Sequence, residues 1–141
     1  MKYLLDTCLL SELVKPVPHA PVLDWVSAQQ AENLFVSAMT LGELERGVMK
    51  LPTSRRRNEL TTWLAQVALG FEDRVLPFDR ETAHVWADMC ARAEAKGRPL
   101  AAFDSLIAAT ALHQGLTVVT RNERDFEPAG VQLMNPWMTN A

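Results

Sequence analysis

The sequence predicts an α/β fold in which helices cover both faces of a central parallel β-sheet, a three-layer α/β/α arrangement. Short apolar runs alternate along the chain with longer segments whose apolar residues recur at helical spacing. Such alternation is typical of βαβ units, whose crossover helices leave the strands buried on both faces. The chain has 141 residues, of which 48% are hydrophobic and 22% charged. This length and balance predict one globular domain, residues 1–141, that buries about 70% of its unfolded surface.

A short buried strand at the start of the chain precedes the first two predicted helices. Residues 3–5 form an apolar run that ends at Asp6. Ser11 has the side chain of a helix N-cap, and Pro16 closes the helix that it would begin. A second helix is predicted from near Pro21, because three apolar residues that follow share one helical face: Val22, Trp25 and Val26.

The next segment predicts a strand followed by two helices. Residues 34–36 are apolar and form the second predicted strand. Residues 40–43 read Thr-Leu-Gly-Glu, which is the spacing of a capping box, and they predict a helix that runs to about Lys50. A long helix follows and is expected to end at Gly70, with three apolar residues at helical spacing: Leu60, Leu64 and Val67.

The second half of the chain predicts three strands and two helices. Residues 74–76 form the third strand, and Asp79 caps a helix that ends before Gly97. Residues 103–114 form an Ala-rich helix that stops at Gly115. Two strands complete the sheet, the first of them rich in β-branched side chains: residues 116–119 and residues 131–134.

Four acidic side chains stand where ligands bind in parallel sheets. Asp6 directly follows the first strand, and Glu43 is expected in the first turn of the helix after the second strand. Asp104 opens the Ala-rich helix, and Asp125 is expected in the loop after the fourth strand. Because crossovers in such sheets are right-handed, all four can converge beyond the carboxyl ends of the strands.

Each of these acids also has a purely structural explanation. Asp6 could form an Asx turn, and Glu43 could be the reciprocal member of a capping box. Asp104 could favour the helix dipole, and Asp125 could be a solvated loop residue. However, four carboxylates in one pocket repel one another and raise one another's pKa values. A fold that brings them together therefore needs a positive charge among them.

A divalent cation satisfies such a pocket better than an arginine does. Arg46 or Arg121 could neutralise part of the charge, but oxygen-only ligands suit Mg²⁺ or Mn²⁺. Two such ions about 3.5–4 Å apart activate a water molecule and stabilise the leaving oxygen of a phosphodiester. None of these positions offers an obvious covalent nucleophile, and the three histidines lie elsewhere. The acids therefore predict metal-assisted hydrolysis.

The charge balance is compatible with a nucleic-acid substrate. The chain carries 14 Lys and Arg against 17 Asp and Glu, a net charge of −3. If metal neutralises the four acids, 17 − 4 = 13 acids remain against 14 bases, a net charge of +1. Arg46, Arg98 and Arg121 lie near the predicted site and are expected to bind or orient substrate. The three arginines at residues 55–57 either contact phosphates or form a solvated helix start.

Cysteine usage and hydropathy indicate the compartment. Cys8 and Cys90 belong to no CxxC motif or Cys/His cluster, so a structural zinc site is not expected. Two isolated thiols fit a reducing compartment. The amino terminus lacks the apolar run of a signal peptide, and no apolar stretch approaches the ~20 residues of a membrane span. A cytoplasmic protein without a membrane partner is expected.

Five groups of residues occur in an order that is typical of one family. They read YLLDT at residues 3–7, LGELERG at 41–47, GRPL at 97–100 with DSLIAATA at 104–111, VTRN at 119–122 with DF at 125–126, and NPW at 135–137. Together they resemble the PIN domain, and they are closest to the VapC-type toxins of bacterial toxin–antitoxin modules in the FitB-like subgroup. The resemblance covers nearly the whole chain, and its specificity lies in the ordered set.

The resemblance implies a Mg²⁺- or Mn²⁺-dependent endoribonuclease toxin that a cognate VapB-type antitoxin inhibits. It implies a homodimer, or a heterotetramer or hetero-octamer with the antitoxin, which alone contacts operator DNA. Residues near 60–69 and 85–89 are our expectation for the dimer and antitoxin surfaces. The family's catalytic and metal-binding acids fall on four positions: Asp6, Glu43, Asp104 and Asp125. Substrate-binding or orienting roles are expected at six others: Thr7, Arg46, Arg98, Thr120, Arg121 and Asn122.

One departure from the family pattern concerns the residue two places after Asp6. The family commonly has Asn there, and this chain has Cys8. A thiol is a weaker hydrogen-bond partner than an amide, so metal affinity is expected to suffer by about 10–100-fold if that Asn supports the acid.

Other function classes fit the sequence less well. A haloacid dehalogenase phosphatase needs a second Asp where Cys8 stands. A receiver domain needs a late Lys, whereas the last lysine here is Lys96. The remaining alternative is a PIN-like module that binds RNA or a partner without cutting, and stabilisation by metal would distinguish the two.

Overall fold

The sheet has five strands, and all of them are parallel. A computed structural model describes residues 1–138 of the chain. The strands are β1 (Tyr3–Leu5), β2 (Leu34–Ser37), β3 (Val75–Leu76), β4 (Thr117–Val119) and β5 (Leu133–Met134). Their order across the sheet is β3-β2-β1-β4-β5, with β1 at the centre. The parallel sheet expected from the sequence is confirmed.

Seven α-helices surround the sheet in the described part of the chain. They are α1 (Thr7–Leu13), α2 (Ala20–Ser27), α3 (Ala38–Met49), α4 (Arg55–Phe71), α5 (Arg80–Ala95), α6 (Ala102–Gln114) and α7 (Glu123–Phe126). Three short 3-10 turns lie between these elements, at residues 31–33, 72–74 and 127–129.

The hydrophobic core is divided into two layers by the sheet. Leu4 and Val118 face one layer, where they pack with Ile107 of α6 and Met89 of α5. Their chain neighbours face the other layer, where they pack with residues of α1, α2 and β2: Leu5, Val119, Leu9, Leu10, Val22 and Val36. Successive strand residues point to opposite faces, so a strand that is covered on both sides must be apolar throughout. This explains why β1 and β4 read as continuous apolar runs, and it confirms the three-layer architecture.

Two helices begin earlier than the sequence predicted, and both corrections concern the site. Helix α1 starts at Thr7 with Asp6 as its N-cap, so Ser11 lies inside the helix. Helix α3 starts at Ala38, directly after β2, because the Ser37 hydroxyl accepts a hydrogen bond of 3.1 Å from the Met39 N–H. The predicted capping box is therefore wrong, and Glu43 lies in the second turn of α3. In both cases the last strand residue or its neighbour caps the helix.

Two other boundaries differ in the second half of the chain. Helix α4 continues through Gly70 to Phe71 and ends where Glu72 adopts a positive φ of 48°. Asp125 was expected in a loop, but it lies in α7, a helix of one turn. The fully buried side chain of Phe126 packs that turn against the core residues of α6. No helix within residues 1–138 combines the length and the apolar character needed to cross a membrane.

Candidate active site

Asp6 is the acid that the fold holds most firmly. It stands between β1 and α1, and the residue is only 5% exposed. Its Oδ1 accepts a hydrogen bond of 2.8 Å from the Thr7 N–H, and its Oδ2 accepts one of 2.9 Å from the Thr120 hydroxyl. Burial raises the pKa of Asp6 above its usual range, although both hydrogen bonds oppose that effect. The carboxylate is thus fixed in orientation at the carboxyl edge of the sheet.

The segment after β4 supports Asp6 from the adjacent strand. Thr120 is fully buried, and its hydroxyl both donates to Asp6 and accepts a hydrogen bond of 3.0 Å from the Asn122 N–H. This arrangement follows from the register, because Leu5 pairs with Val119 and the Asp6 N–H bonds to the Val119 carbonyl. Two of the residues expected to orient the site, Thr120 and Asn122, are thereby joined to Asp6 by one hydroxyl group.

Cys8 takes the place of the family's Asn and makes longer contacts. Its thiol lies 3.5 Å from Asp6 Oδ2 and 3.6 Å from the Thr120 hydroxyl, and its sulfur accepts a hydrogen bond of 3.5 Å from the Arg121 N–H. Burial, followed by the negative charge of Asp6, raises the pKa of the Cys8 thiol to about 11. The side chain is therefore a neutral thiol at physiological pH, and it joins the loop after β4 to the start of α1.

The pKa of Asp104 shows that the four acids are close enough to interact. It lies in the first turn of α6 and is half-buried. Burial, followed by the negative charges of Asp6, Asp125 and Glu43, raises the pKa of Asp104 to about 6. The four carboxylates, carried by the ends of β1 and by helices α3, α6 and α7, thus share one electrostatic environment. Glu43 is half-buried and Asp125 is exposed, so the cluster opens to solvent on that side.

The cluster suits a divalent cation in its charge and in its donor atoms. Within residues 1–138, no side-chain nitrogen of Lys, Arg or His lies within 4.0 Å of an oxygen of the four carboxylates. Two buried hydroxyls near it, those of Thr7 and Thr40, have no hydrogen-bond partner in the described residues. Thr7 follows Asp6, and Thr40 lies one turn before Glu43. Uncompensated carboxylates and unpaired hydroxyls fit a hard ion with its bound waters.

Thr40 was expected from the sequence to cap a helix and was not among the candidate site residues. The sequence signal was present, because Thr40 precedes Glu43 by three residues and so shares its helix face. As an N-cap, Thr40 would accept a hydrogen bond from a backbone N–H of the helix. In the structure Ser37 caps α3, and the Thr40 hydroxyl has no such partner.

The predicted substrate-orienting arginines occupy three different environments. Arg46 is exposed on α3, one turn after Glu43. The Arg98 guanidinium lies 3.4 Å from Glu127 Oε2 and lines a cavity of about 240 Å³ against α5. The Arg121 guanidinium lies 5.8 Å from the centroid of the Trp137 ring. None of them forms an ion pair with the four acids among the described residues, so their roles toward substrate stay predictions.

A second group of potential metal ligands lies at the opposite end of α6. One ligand atom from each of Asp79, Glu81 and His113 can be chosen so that all three lie within 4.8 Å of one another. His113 is in the last turn of α6, whereas Asp104 is in its first, so the two groups are about 13 Å apart along the helix axis. Asp79 Oδ1 already accepts hydrogen bonds from the Thr82 N–H and hydroxyl as the cap of α5. This group is separate from the four acids.

Replacing Thr120 with Val is expected to weaken both the fold and the site. The change keeps the shape of the side chain but removes the donor to Asp6 Oδ2 and the acceptor of the Asn122 N–H. Unpaired buried polar groups cost about 1–3 kcal/mol each, so the free energy of unfolding should fall by about that amount in urea titrations. Loss of the donor also raises the pKa of Asp6, so the pH midpoint for Mn²⁺ binding should move upward. A midpoint at or below that of the parent would contradict this role.

Replacing Cys8 with Asn is expected to strengthen metal binding. The amide can donate to Asp6 Oδ2 and accept from the Arg121 N–H, the two contacts that the thiol now makes at 3.5 Å. Calorimetric titration with Mn²⁺ should give a Kd lower by roughly 10-fold, within the range of outer-shell effects. Replacing Cys90, the other thiol, with Ser is the matched control and should leave the Kd unchanged. An unaltered Kd in the Cys8 variant would show that the thiol already supports Asp6 adequately.

Curated relatives resemble the chain along nearly its full length. "VapC ribonuclease Y4jK" from Sinorhizobium fredii is 40% identical over 134 residues, covering 94% of this chain and 96% of that protein. "Toxin FitB" from Neisseria gonorrhoeae is 39% identical over 135 residues, covering 95% of this chain and 97% of that protein.

Two solved structures share this fold along nearly the whole chain. The crystal structure of FitAcB from Neisseria gonorrhoeae matches with a TM-score of 0.93 and 38% identity, covering 97% of this chain and 99% of that one. A structure of FitAB bound to an IR36 DNA fragment matches with a TM-score of 0.93 and 36% identity, covering 99% and 98%. The family profile described as PIN domain matches residues 3–130, a span that contains all four acids. The family match, the identity to these relatives and the parallel sheet agree. The chain belongs to the PIN domain family.

Proposed function

We propose that this protein is a metal-dependent endoribonuclease, the toxin of a type II toxin–antitoxin module. The observation that carries the proposal is the group of four carboxylates at the carboxyl edge of the sheet. Burial, together with the charges of the other three acids, raises the pKa of Asp104 to about 6, and no cation of residues 1–138 is paired with the four carboxylates. Keeping such a cluster charged at neutral pH costs free energy, and a bound divalent cation offsets that cost.

The proposed ligands are Asp6, Asp104 and Asp125, with Glu43 either as a further ligand or as the group that orients the attacking water. Mg²⁺ or Mn²⁺ is the proposed ion, because all donors are oxygens. When bound, the ion lowers the pKa of a water molecule and stabilises charge on the phosphate. Asp6 keeps its orientation through the hydrogen bonds from Thr7 and Thr120.

RNA is the proposed substrate, and an antitoxin is the proposed regulator. Support for RNA comes from the relative named a VapC ribonuclease. Support for a VapB-type antitoxin comes from the FitAcB and FitAB complexes, the second of which contains DNA. We propose that residues 1–141 act as one PIN-like unit in the cytoplasm, as a homodimer or as a heterotetramer or hetero-octamer with the antitoxin. Operator DNA would be contacted through the antitoxin.

The direct test is cleavage of total cellular RNA by the purified chain without its antitoxin. Reactions with Mn²⁺, with Mg²⁺ and with EDTA should give discrete fragments in the first two only. Glu81→Gln is the control for the site assignment, because it removes an exposed carboxylate from the separate group near His113 and leaves the four acids intact. Cleavage should persist in that variant. Loss of cleavage in Glu81→Gln would assign the chemistry to the other end of α6, and metal binding without any cleavage would favour a non-catalytic RNA- or partner-binding module.

A further inference from the structure

A cleft near the end of α1 is lined by two basic side chains, Lys15 and Arg121, and by one tryptophan. It has a volume of about 650 Å³ and lies between the end of α1 and the segments that follow β4 and β5. Lys15, His19, Arg121 and Trp137 line it, together with Glu12. Arg121 directly follows Thr120, whose hydroxyl donates to Asp6. One residue that lines the cleft is therefore the chain neighbour of a residue that is hydrogen-bonded to Asp6, and its own N–H donates to the thiol of Cys8.

Glu12 is a buried carboxylate that accepts hydrogen bonds from three residues lining this cleft. Its side chain lies in α1, and the residue is 5% exposed. Oε1 accepts hydrogen bonds of 3.0 Å from the Trp137 indole N–H and 3.2 Å from Lys15 Nζ, and Oε2 accepts one of 3.3 Å from the His19 N–H. Three donors thus occupy the carboxylate, and one of them is a side chain 125 residues away. A buried charge with this many partners is costly to disturb.

Trp137 is fixed from a second direction as well. Its N–H donates a hydrogen bond of 3.0 Å to Asn135 Oδ1, and Asn135 Nδ2 donates one of 3.2 Å to Glu123 Oε2 in α7. The indole ring is therefore held between α1 and the turn after β5, with one face toward Arg121. An aromatic face attracts a guanidinium without neutralising its charge.

Arg121 carries a positive charge that no carboxylate of the described residues neutralises. Its side chain is exposed, and it forms no ion pair with any acid of residues 1–138. The carboxylate of Glu12, which also lines the cleft, already accepts hydrogen bonds from Trp137, Lys15 and His19. A guanidinium that is not paired with a carboxylate is available to bind a phosphate in bidentate fashion. Lys15 adds a second cation at the cleft, half-exposed beside Glu12.

We propose that the Glu12–Trp137 hydrogen bond holds Arg121 in place to bind the RNA phosphate next to the cleaved bond. Trp137 and Glu12 are positioning residues in this scheme, and Arg121 is the residue that contacts the phosphate. The inference rests on the proposed function for the identity of the strand. It extends that function by assigning a phosphate subsite to this cleft.

The test measures RNA binding separately from cleavage. The probe is a fluorescein-labelled single-stranded RNA of mixed sequence, about 12 nucleotides long. It is titrated by fluorescence anisotropy in Mg²⁺ with the Asp104→Asn chain, which should not cut it. The slope of log K against log salt is measured between about 50 and 200 mM. Arg121→Gln should reduce the magnitude of that slope by about 0.7, the value of one phosphate contact on a single strand.

A double-variant cycle tests whether the tryptophan acts through the arginine. Trp137→Phe keeps an aromatic ring but removes the N–H that donates to Glu12. It should lower the slope nearly as far as Arg121→Gln does, and adding it to Arg121→Gln should cause no further loss. Arg92→Gln, which removes a cation paired with Asp88 on α5, is the matched control and should leave the slope unchanged. Melting temperatures identify any variant that is merely unfolded.

Each outcome decides the inference. An unchanged slope in Arg121→Gln, or independent losses from the two variants, would overturn it. Weaker binding of a co-purified antitoxin with unchanged RNA binding would overturn it in favour of an acidic peptide ligand. Cleavage by the parent chain is scored in parallel, so failure of the nuclease proposal is distinguishable. In steady-state cleavage, Arg121→Gln should raise KM while leaving kcat close to that of the parent, because the phosphate contact lies beside the reacting group.

Discussion

The Asp104→Asn chain is expected to lose RNA cleavage while keeping its fold. The change removes one carboxylate from the group that is proposed to hold the metal and leaves a side chain of nearly the same size in the first turn of α6. Losses of outer-shell partners alone cost about 10–100-fold, so loss of a ligand should lower the cleavage rate by more than about 100-fold. The measurement is the initial rate of fragment formation in Mn²⁺. Residual cleavage within a few-fold of the parent would place the reaction elsewhere.

Removal of that carboxylate should not destabilise the metal-free protein. The pKa of Asp104 is raised in the folded chain, so the folded chain binds the proton more tightly than the unfolded chain does. The stability that Asp104 contributes is therefore fully present below its unfolded pKa and is lost as pH rises through about 6. Asp6, whose pKa is also raised, acts in the same direction. At pH 7 the Asp104→Asn chain in EDTA should melt at or above the Tm of the parent.

The pH series provides the control for this argument. The two chains should have similar stability near pH 4, where Asp104 is protonated in the parent. Their melting temperatures should diverge between about pH 4 and pH 7, because only the parent acquires the unfavourable charge. Asp88→Asn, at an exposed carboxylate on α5, should show no such divergence. A large fall in the Tm of Asp104→Asn at pH 7 would contradict the idea that the four acids repel one another.

Divalent cations are expected to raise the melting temperature of the parent chain. A ligand that binds only the folded state adds about 2.7 kcal/mol when its free concentration is 100 times its Kd. For a chain of this length, that corresponds to a rise in Tm of roughly 5–10 °C. The rise follows from the four carboxylates, which a cation relieves of their mutual repulsion. Thermal melts in Mn²⁺, Mg²⁺ and EDTA at pH 7 measure it directly.

The acidic cluster predicts how this stabilisation depends on pH and on sequence. Protons compete with the metal for Asp104, whose pKa is about 6, so the shift in Tm should shrink as pH falls from 7 to 5. Asp104→Asn should abolish most of the shift at pH 7. His113→Gln, at the other end of α6, should retain it. Retention of the shift in Asp104→Asn and its loss in His113→Gln would move the metal site to the group formed with Asp79 and Glu81.

The sheet was predictable because a strand that is buried on both faces appears in the sequence as a short, continuous apolar run. Each strand reads as a short apolar run, and all five runs identified from the sequence pair in one parallel sheet. The helix starts were less predictable, because several polar residues near a strand end are competent caps. Ser37 and Asp6 take that role in the structure, whereas Thr40 and Ser11 have equally suitable side chains. Proximity to the strand end decides between them.

The four acids could be identified from the sequence by their places relative to the strands. Asp6 follows β1 directly, and helices α3 and α7 bring Glu43 and Asp125 close enough to raise the pKa of Asp104 on α6. The arginines could not be placed in this way. A long flexible side chain can reach several partners, and only its neighbours in the fold select one. Arg98 lies beside Glu127, and Arg121 lies against Trp137.

The sequence by itself determined the fold class, the order of the acids and the chemistry that they suggest, because these depend on local pattern and on the regular geometry of parallel sheets. Only the tertiary structure decided which hydroxyls support Asp6, which arginine stays free of carboxylates and what fixes its position. Those outcomes depend on pairs such as Thr120 with Asp6 and Trp137 with Glu12, which are 114 and 125 residues apart. No local pattern records such a pair, because the contact forms only when the whole sheet has assembled.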